Sequence, residues 1–464
     1  MVLSRARRPD GAIERGAPSL ARAFRRALGA AGEVVRRSPA GDGAAPSPRQ
    51  RGFAMLMVLV VVAVVSALST QFTYNTRANI WMAGNLEASV KAYFNARSAT
   101  KIALLAVNAK KNFPQMQKFL SLMGKGAAQR LEIWQRACDF VNIFATGRAE
   151  FFGTPLLDFS REKAVGADSG VEGRPGFTCK VTAEDARVNL NRAATEPVLP
   201  DPNNPNADVA ALTAQQTQLQ QRRAAQLYVQ LGGLLAPMVK SGEFQTEDEV
   251  LDVILNVIDW TDADTTKSEI DQEGNFAVGG GGEPDYGKYG YESKNAKFDT
   301  VGEVQLVDGM SSDVFCQIRD ELTVFATDKV NVNDASIMVL KGILCQSIQD
   351  EVARVQLCLM PGPTGLAPID DALIALETCR ELKKQVYSTP FTSMSRFTQF
   401  FEQFPQALGT GVPLPITASI VNQQLGVRTK MVRIEAEGFF GDTQRKMVSI
   451  VDTASGTLVH FHYE

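Results

Sequence analysis

The sequence predicts an α+β protein. It should have a long N-terminal helix, early strands, a large helical region and a closing antiparallel meander. Three observations predict this. Residues 53–76 carry no charge, and the segment runs on in helical register with no proline before Phe113. Phe177, Cys179 and Val181 alternate with smaller or polar residues, and so do the apolar positions of 426–464, which is the period of a half-buried strand. Between these strand regions the apolar spacing is helical, in "TAQQTQLQQRRAAQLYVQLGGLLAPMV" (213–239) and "QTEDEVLDVILNVIDW" (245–260).

Charge orients the N-terminus. Residues 1–52 hold eleven Arg, no Lys and four acids, a net of +7 within a chain of −3. Residues 53–464 therefore hold 37 basic and 47 acidic residues, a net of −10. A basic head before an apolar run is the membrane-insertion signal that holds the basic end in the cytoplasm. The acidic remainder argues against a nucleic-acid partner, because phosphate binding needs a local excess of Lys and Arg. Phe53–Ser69 alone is short for a spanning helix of about 20 residues, and "TQFTYNT" extends it to that length before Arg77. A secretory signal cleaved near Ser66-Ala67-Leu68 is the competing reading. It ranks lower because Ile80, Leu86, Val90, Tyr93, Phe94 and Ala96 continue an intermittent apolar face of one helix.

Farther along, "FVNIFA" (140–145) and "GFTCKVTAEDARVNLNRA" (176–193) read as short strands, and "DPNNPNAD" (201–208) as a turn-rich break. Thr246 followed by Glu249 has capping-box spacing, and Gly279–Gly282 read as a glycine-rich loop. "RVNLNRAAT" (187–195) and "KVNVNDASI" (329–337) echo one another, which suggests two related helical subdomains. Their Asn191, Asn333 and Asp334 read as helix caps. "RTKMVRIEAEGFF", "TQRKMVSIVDT" and "TLVHFHYE" form the closing three-stranded meander. The six cysteines all follow the apolar run, and no C-x-x-C pair occurs. Disulfides in an exported domain and buried thiols both fit, with the pairing open.

The densest acidic stretch runs from 259 to 285, with Asp259, Asp262, Asp264, Glu269, Asp271, Glu273, Glu283 and Asp285. A helix ending at Trp260, an Asp-x-Asp, and a return through Glu283 and Asp285 would supply the carboxylate oxygens that calcium requires. It is not an EF-hand, since Thr266 and Lys267 stand where a ligand and Gly are needed. A solvated acidic loop is the equal alternative on spacing alone. Enzyme readings fare badly. The only histidines are His460 and His462, on one face of the last strand, where a surface pair is the plain account. Most Ser-His-Asp, Cys-His and zinc-hydrolase schemes are thereby eliminated. The 279–282 glycines lack a following Lys-Ser/Thr, so no phosphate loop is indicated. "LVDGMSSDVF" has the turn of a helix-hairpin-helix, but Asp308 and Asp313 flank it where a DNA binder wants neutral or basic residues.

A basic leader, then Gly52-Phe53, then an apolar helix continuing as an amphipathic one resembles the type IV pilins and type II secretion pseudopilins. The resemblance implies cleavage between Gly52 and Phe53 by prepilin peptidase, with methylation of the new N-terminus. Most of the class carries Glu five residues into the mature chain, where this sequence has Met57. A lone carboxylate in hydrocarbon is expensive, so a subunit with no neighbour above it loses nothing by carrying Met. That departure is similar to the K class, general secretion pathway protein K, the large minor pseudopilin of the filament tip. The blocks "EDARVNLN", "DVILNVIDWTDAD", "GGEPDYG", "FDTVGEVQLVDGMSSDVF" and "FATDKVNVNDAS" resemble that class in order. The segment 338–400 exceeds it.

The resemblance implies a pseudopilin fold, with the long helix packed on an antiparallel sheet and a helical domain inserted between strands. The organisation is then a leader at 1–52, a transmembrane part at 53–75 and a periplasmic half-helix at 76–110. Strands and connections follow at 111–191, the inserted domain at 192–425 and the meander at 426–464. The implied partners are the other minor pseudopilins, the major pseudopilin, prepilin peptidase and the inner-membrane secretion platform. Calcium is implied at Asp259, Asp262, Asp264, Glu283 and Asp285. The competing readings are a minor pilin of a type IV pilus and a membrane-anchored periplasmic calcium-binding enzyme.

Overall fold

The computed structural model describes residues 48–108, 133–146, 148–151, 154–158, 169, 176–194, 209–270, 276–325, 329–384, 389–407 and 414–463. Residues 1–47 of the expected leader and the turn-rich break at 201–208 lie outside them. Two compact units divide the chain, 1–82 and 83–464.

Helix α1 is Pro48–Val107 and passes through Gly52 and Phe53 without interruption. Its first part is long and apolar enough to cross a membrane, with a mean hydropathy of 2.3. In the second unit the helix lies on a sheet through a stripe of small residues, Ala92, Ala96, Ala99 and Ala103, all fully buried. Their spacing of four, three and four keeps them on one face. Bulk is excluded for a geometric reason. A Cβ placed on Gly438 of the facing strand would lie 2.0 Å from Ala92 O and 2.3 Å from Ala96 N. Asn95 Nδ2 donates to Phe439 O at 2.9 Å, and Arg445 donates to Ser89 Oγ at 2.8 and 3.0 Å. Of the intermittent apolar face that runs on along the helix, Ile80, Leu86, Val90 and Phe94 are exposed and Ala96 is fully buried. Large side chains would hold the helix too far from the sheet.

The run "FVNIFA" is not a strand. It belongs to helix α2, Ala137–Thr146. Its period-2 content is weak, and burial of Trp134, Ala137, Cys138 and Val141 follows a helical spacing. A hairpin, β1 (Arg148–Phe151) with β2 (Thr154–Asp158), follows. The sheet beneath α1 is built from β3 (Phe177–Ala183), β10 (Met431–Phe440), β11 (Thr443–Asp452) and β12 (Leu458–Tyr463). It is antiparallel, in the order β12–β11–β10–β3, and a disulfide ties Cys138 of α2 to Cys179 of β3. β3 pairs with β10 from Phe177↔Gly438 to Ala183↔Val432, so the chain between these neighbours forms an inserted region.

The inserted region is helical. It contains α3 (Val209–Leu235), α4 (Pro237–Ser241), α5 (Glu247–Thr261), α6 (Ser312–Ile318), α7 (Ile337–Gln346), α8 (Glu351–Cys358), α9 (Pro368–Lys384), α10 (Met394–Ala407) and α11 (Ala418–Gln424). Helices α3 and α7 meet backbone to backbone, since a Cβ on Gly233 would fall 2.2 Å from the Gly342 Cα. The segment 338–400 is largely helix, with Cys345 and Cys358 disulfide-bonded.

The two asparagine motifs make matching sets of bonds. β4 (Val188–Asn189) pairs in parallel with β7 (Leu322–Thr323), and β8 (Val330–Asn331) with β9 (Leu425–Gly426). Asn189 Oδ1 accepts from Asn191 N, and Asn331 Oδ1 from Asn333 N. Asn191 Nδ2 donates to Phe298 O and Val324 O while its Oδ1 accepts from Phe298 N. Asn333 does the same with Phe391 O, Val427 O and Phe391 N. Asn191 and Asn333 therefore do not cap α-helices. Only a carboxamide offers donors and an acceptor at one tip, and here it fastens two distant segments. The cap of α7 is Ser336, not Asp334.

Candidate functional site

Helix α5 builds the acidic site from below. Thr246 caps it by accepting from Glu249 N at 3.2 Å, while the Glu249 carboxylate accepts from Gln245 N at 2.7 Å. Val250, Val253, Ile254, Val257 and Ile258 anchor it in the core. Its last turn thus carries Asp259 into the interior and ends at Thr261, with Asp262 as the extended C-cap. The expected glycine-rich loop is instead a strand. β6 (Phe276–Gly282) pairs with β5 (Thr266–Ile270), and this hairpin delivers Glu283 beside Asp262.

Asp262, Asp264 and Glu283 each place a carboxylate oxygen within 4.8 Å of the others. Asp259 stands next to them, buried, with Oδ1 accepting from Ser268 N at 2.9 Å. Asp285 is outside the group, because its carboxylate accepts from Gly287 N at 2.8 Å and caps a short 3-10 turn. Burial first, then the charges of Asp264, Asp259 and Glu283, push Asp262 up to about 9. Burial likewise raises Asp259 and Glu283. At an effective dielectric of 20, two carboxylates 4.8 Å apart repel by about 3 kcal/mol. A helix C-terminus, itself partly negative, adds to the penalty.

Among the described residues, five buried oxygens here lack a hydrogen-bond partner: Asp259 Oδ2, Asp262 Oδ1, Glu283 Oε1, Ser293 Oγ and Asn295 Oδ1. Spacing did not single out Ser293 or Asn295. Asn295 has a left-handed φ of 45° and donates Nδ2 to Asp264 O at 2.9 Å. Its one sequence signal is its place soon after the "GGEPDYG" block. Next to Asp259, buried Trp260 stacks with Phe298 and meets Tyr286 edge-on at 5.1 Å. The donor set, all oxygen with several carboxylates, fits a hard divalent cation.

The remaining predicted positions lie on α1. Gly52 and Phe53 are within the helix, and Met57 is exposed on it. A further buried group went unrecognised in "EDARVNLN". Glu184, with no exposed surface, accepts from Arg433 Nε at 2.7 Å and Nη2 at 3.0 Å, and from Thr323 Oγ1. It ties β10 to the inserted region. Asp185 accepts from Lys430 N and Met431 N.

Among solved structures, the chain is similar to one in the GspK–GspI–GspJ complex of the enterotoxigenic Escherichia coli type 2 secretion system. The two are 11% identical, covering 82% of this chain and 99% of that one, with a TM-score of 0.42. No family model and no curated protein matches the chain.

Proposed function

We propose that this chain is a minor pseudopilin of the K class, held in the inner membrane and then placed at the tip of a type II secretion pseudopilus. The observation that carries the reading is the two-part helix α1. Its charge-free half is of membrane length, and its second half carries a sheet interrupted by a large helical region. The bulky residues left exposed on it, including Leu86, Val90, Phe94 and Leu105, offer apolar surface to neighbouring subunits. Met57 brings no carboxylate needing an amine from a subunit above, which suits the first position in the filament. The inserted region would then obstruct stacking beyond it. The partners in this reading are other minor pseudopilins and the major pseudopilin, after processing by prepilin peptidase.

Calcium belongs to the same reading. Asp262, Asp264 and Glu283 would hold the ion, with the unpartnered oxygens of Asp259, Ser293 and Asn295 beside them. Bound there, it supplies positive charge that joins the α5 terminus to the β5–β6 hairpin. No chemical turnover is involved.

Intact mass and N-terminal sequencing of the membrane-extracted protein test the filament reading. A chain starting at N-methyl-Phe53, lost in Gly52→Val or without the peptidase, is expected. A start near Ser69, or retention of residues 1–52 in wild-type cells, would sink it. Loss of protein secretion on deletion, with twitching unaffected, separates a secretion filament from a pilus.

A further inference from the structure

We propose that His460 and His462 form a chelate for a divalent transition cation of the zinc and copper class. It would be a second metal site, independent of the acidic one. The two residues alternate along β12 opposite Ile450 and Val448 of β11, so the pleat puts both imidazoles on the same face of the sheet. His460 Nε2 and His462 Nδ1 lie 3.2 Å apart. With metal–nitrogen bonds of about 2.0–2.1 Å, two imidazole donors at a tetrahedral angle stand about 3.3 Å apart. The spacing is therefore that of two ligands of one ion with little rearrangement.

The surroundings hold the rings in place. His460 is stacked on Phe325 with ring centres 4.6 Å apart, and the two histidine rings are tilted by 48°. Both side chains are half-buried on a paired strand. A cation would meet the field of Arg433, which also reaches His460. That guanidinium is already matched by Glu184, with Glu435 3.9 Å away as a second carboxylate. Without metal the two rings share one N–H across this 3.2 Å separation, and a bound cation would replace that proton.

Imidazole pairs favour zinc, copper and nickel, whereas the all-oxygen acidic site favours calcium. Among the described residues the pair supplies two donors, and the remaining positions would be filled by water or another donor. Cys316 and Cys379 are free thiols that would compete for soft cations, so the test begins from Cys316→Ser/Cys379→Ser.

The untagged full chain in detergent is titrated with zinc, then loaded with one equivalent of copper(II) for pulsed electron paramagnetic resonance. These are the only two histidines in 464 residues, so imidazole nitrogen signals need no further assignment. The proposal expects two coupled imidazole nitrogens. It also expects zinc affinity to fall at least tenfold in His462→Asn while Asp262→Asn leaves it unchanged. A copper spectrum with one imidazole or none overturns the chelate, and this reading requires no histidine variant to fold. Zinc binding unchanged in a folded His462→Asn overturns it as well.

Discussion

Replacing Asp262 by Asn should stabilise the calcium-free protein and abolish its response to calcium. The sign follows from linkage. A carboxyl whose folded pKa is pushed up to about 9, against 3.8 unfolded, binds more proton in the folded state throughout that interval. Stability of the calcium-free wild type therefore falls as pH rises through it, by about 1.4 kcal/mol per pH unit from this group. Between pH 5 and 8 that is about 4 kcal/mol, an upper bound because the charges of Asp259 and Glu283 are coupled to it. Asparagine keeps the shape, removes the charge and should flatten the slope. Calcium acts oppositely, adding about 2.7 kcal/mol at a hundredfold excess over its dissociation constant. Urea unfolding of wild type and Asp262→Asn, at pH 5, 6.5 and 8 with EGTA or calcium, measures all of this. The reasoning is refuted if the variant keeps the wild-type pH slope, or if calcium stabilises both proteins equally.

Three other outcomes are expected. Gly438→Val drives a side chain into the Ala92–Ala96 backbone and should lower stability by several kcal/mol in denaturant melts, against about 0.5 kcal/mol or less for Ala at the exposed Asp442. Burial alone would raise Glu184, but Arg433 and Thr323 hold it below the usual carboxylate range, so its contribution is present above the unfolded value and lost as pH falls through the folded one. Arg433→Met strands that carboxylate and should cost about 3–5 kcal/mol at pH 7, shrinking in acid, as read by unfolding at pH 4 and 7. Asn333→Ala leaves Phe391 N and two carbonyls without their carboxamide partner. In urea melts it should cost about 2–3 kcal/mol, with Asn191→Ala matching it within about 1 kcal/mol.

Local signals were legible in the sequence. The charge-free run, the alternation of the three closing strands and the Thr246 cap depend on neighbours in the chain, and each lies in the expected element. The acidic site was legible as a composition but not as a set. Asp262, Asp264 and Glu283 meet because the β5–β6 hairpin returns the chain, and beyond that return Asp285 caps its own backbone. Ser293 and Asn295 were not singled out by spacing because their role depends on a fold-back and a left-handed backbone.

Which helix face meets the sheet was not legible in the sequence, for a related reason. Hydrophobicity favoured Leu86, Val90 and Phe94, whereas the approach of Gly438 selects the alanines. By itself, then, the sequence determined the membrane-length helix, the strand–helix–strand order and the acidic character of the site. Tertiary structure alone decided which helix face meets the sheet, which carboxylates share a site and what the paired asparagines fasten, because each depends on contacts between residues far apart in the chain.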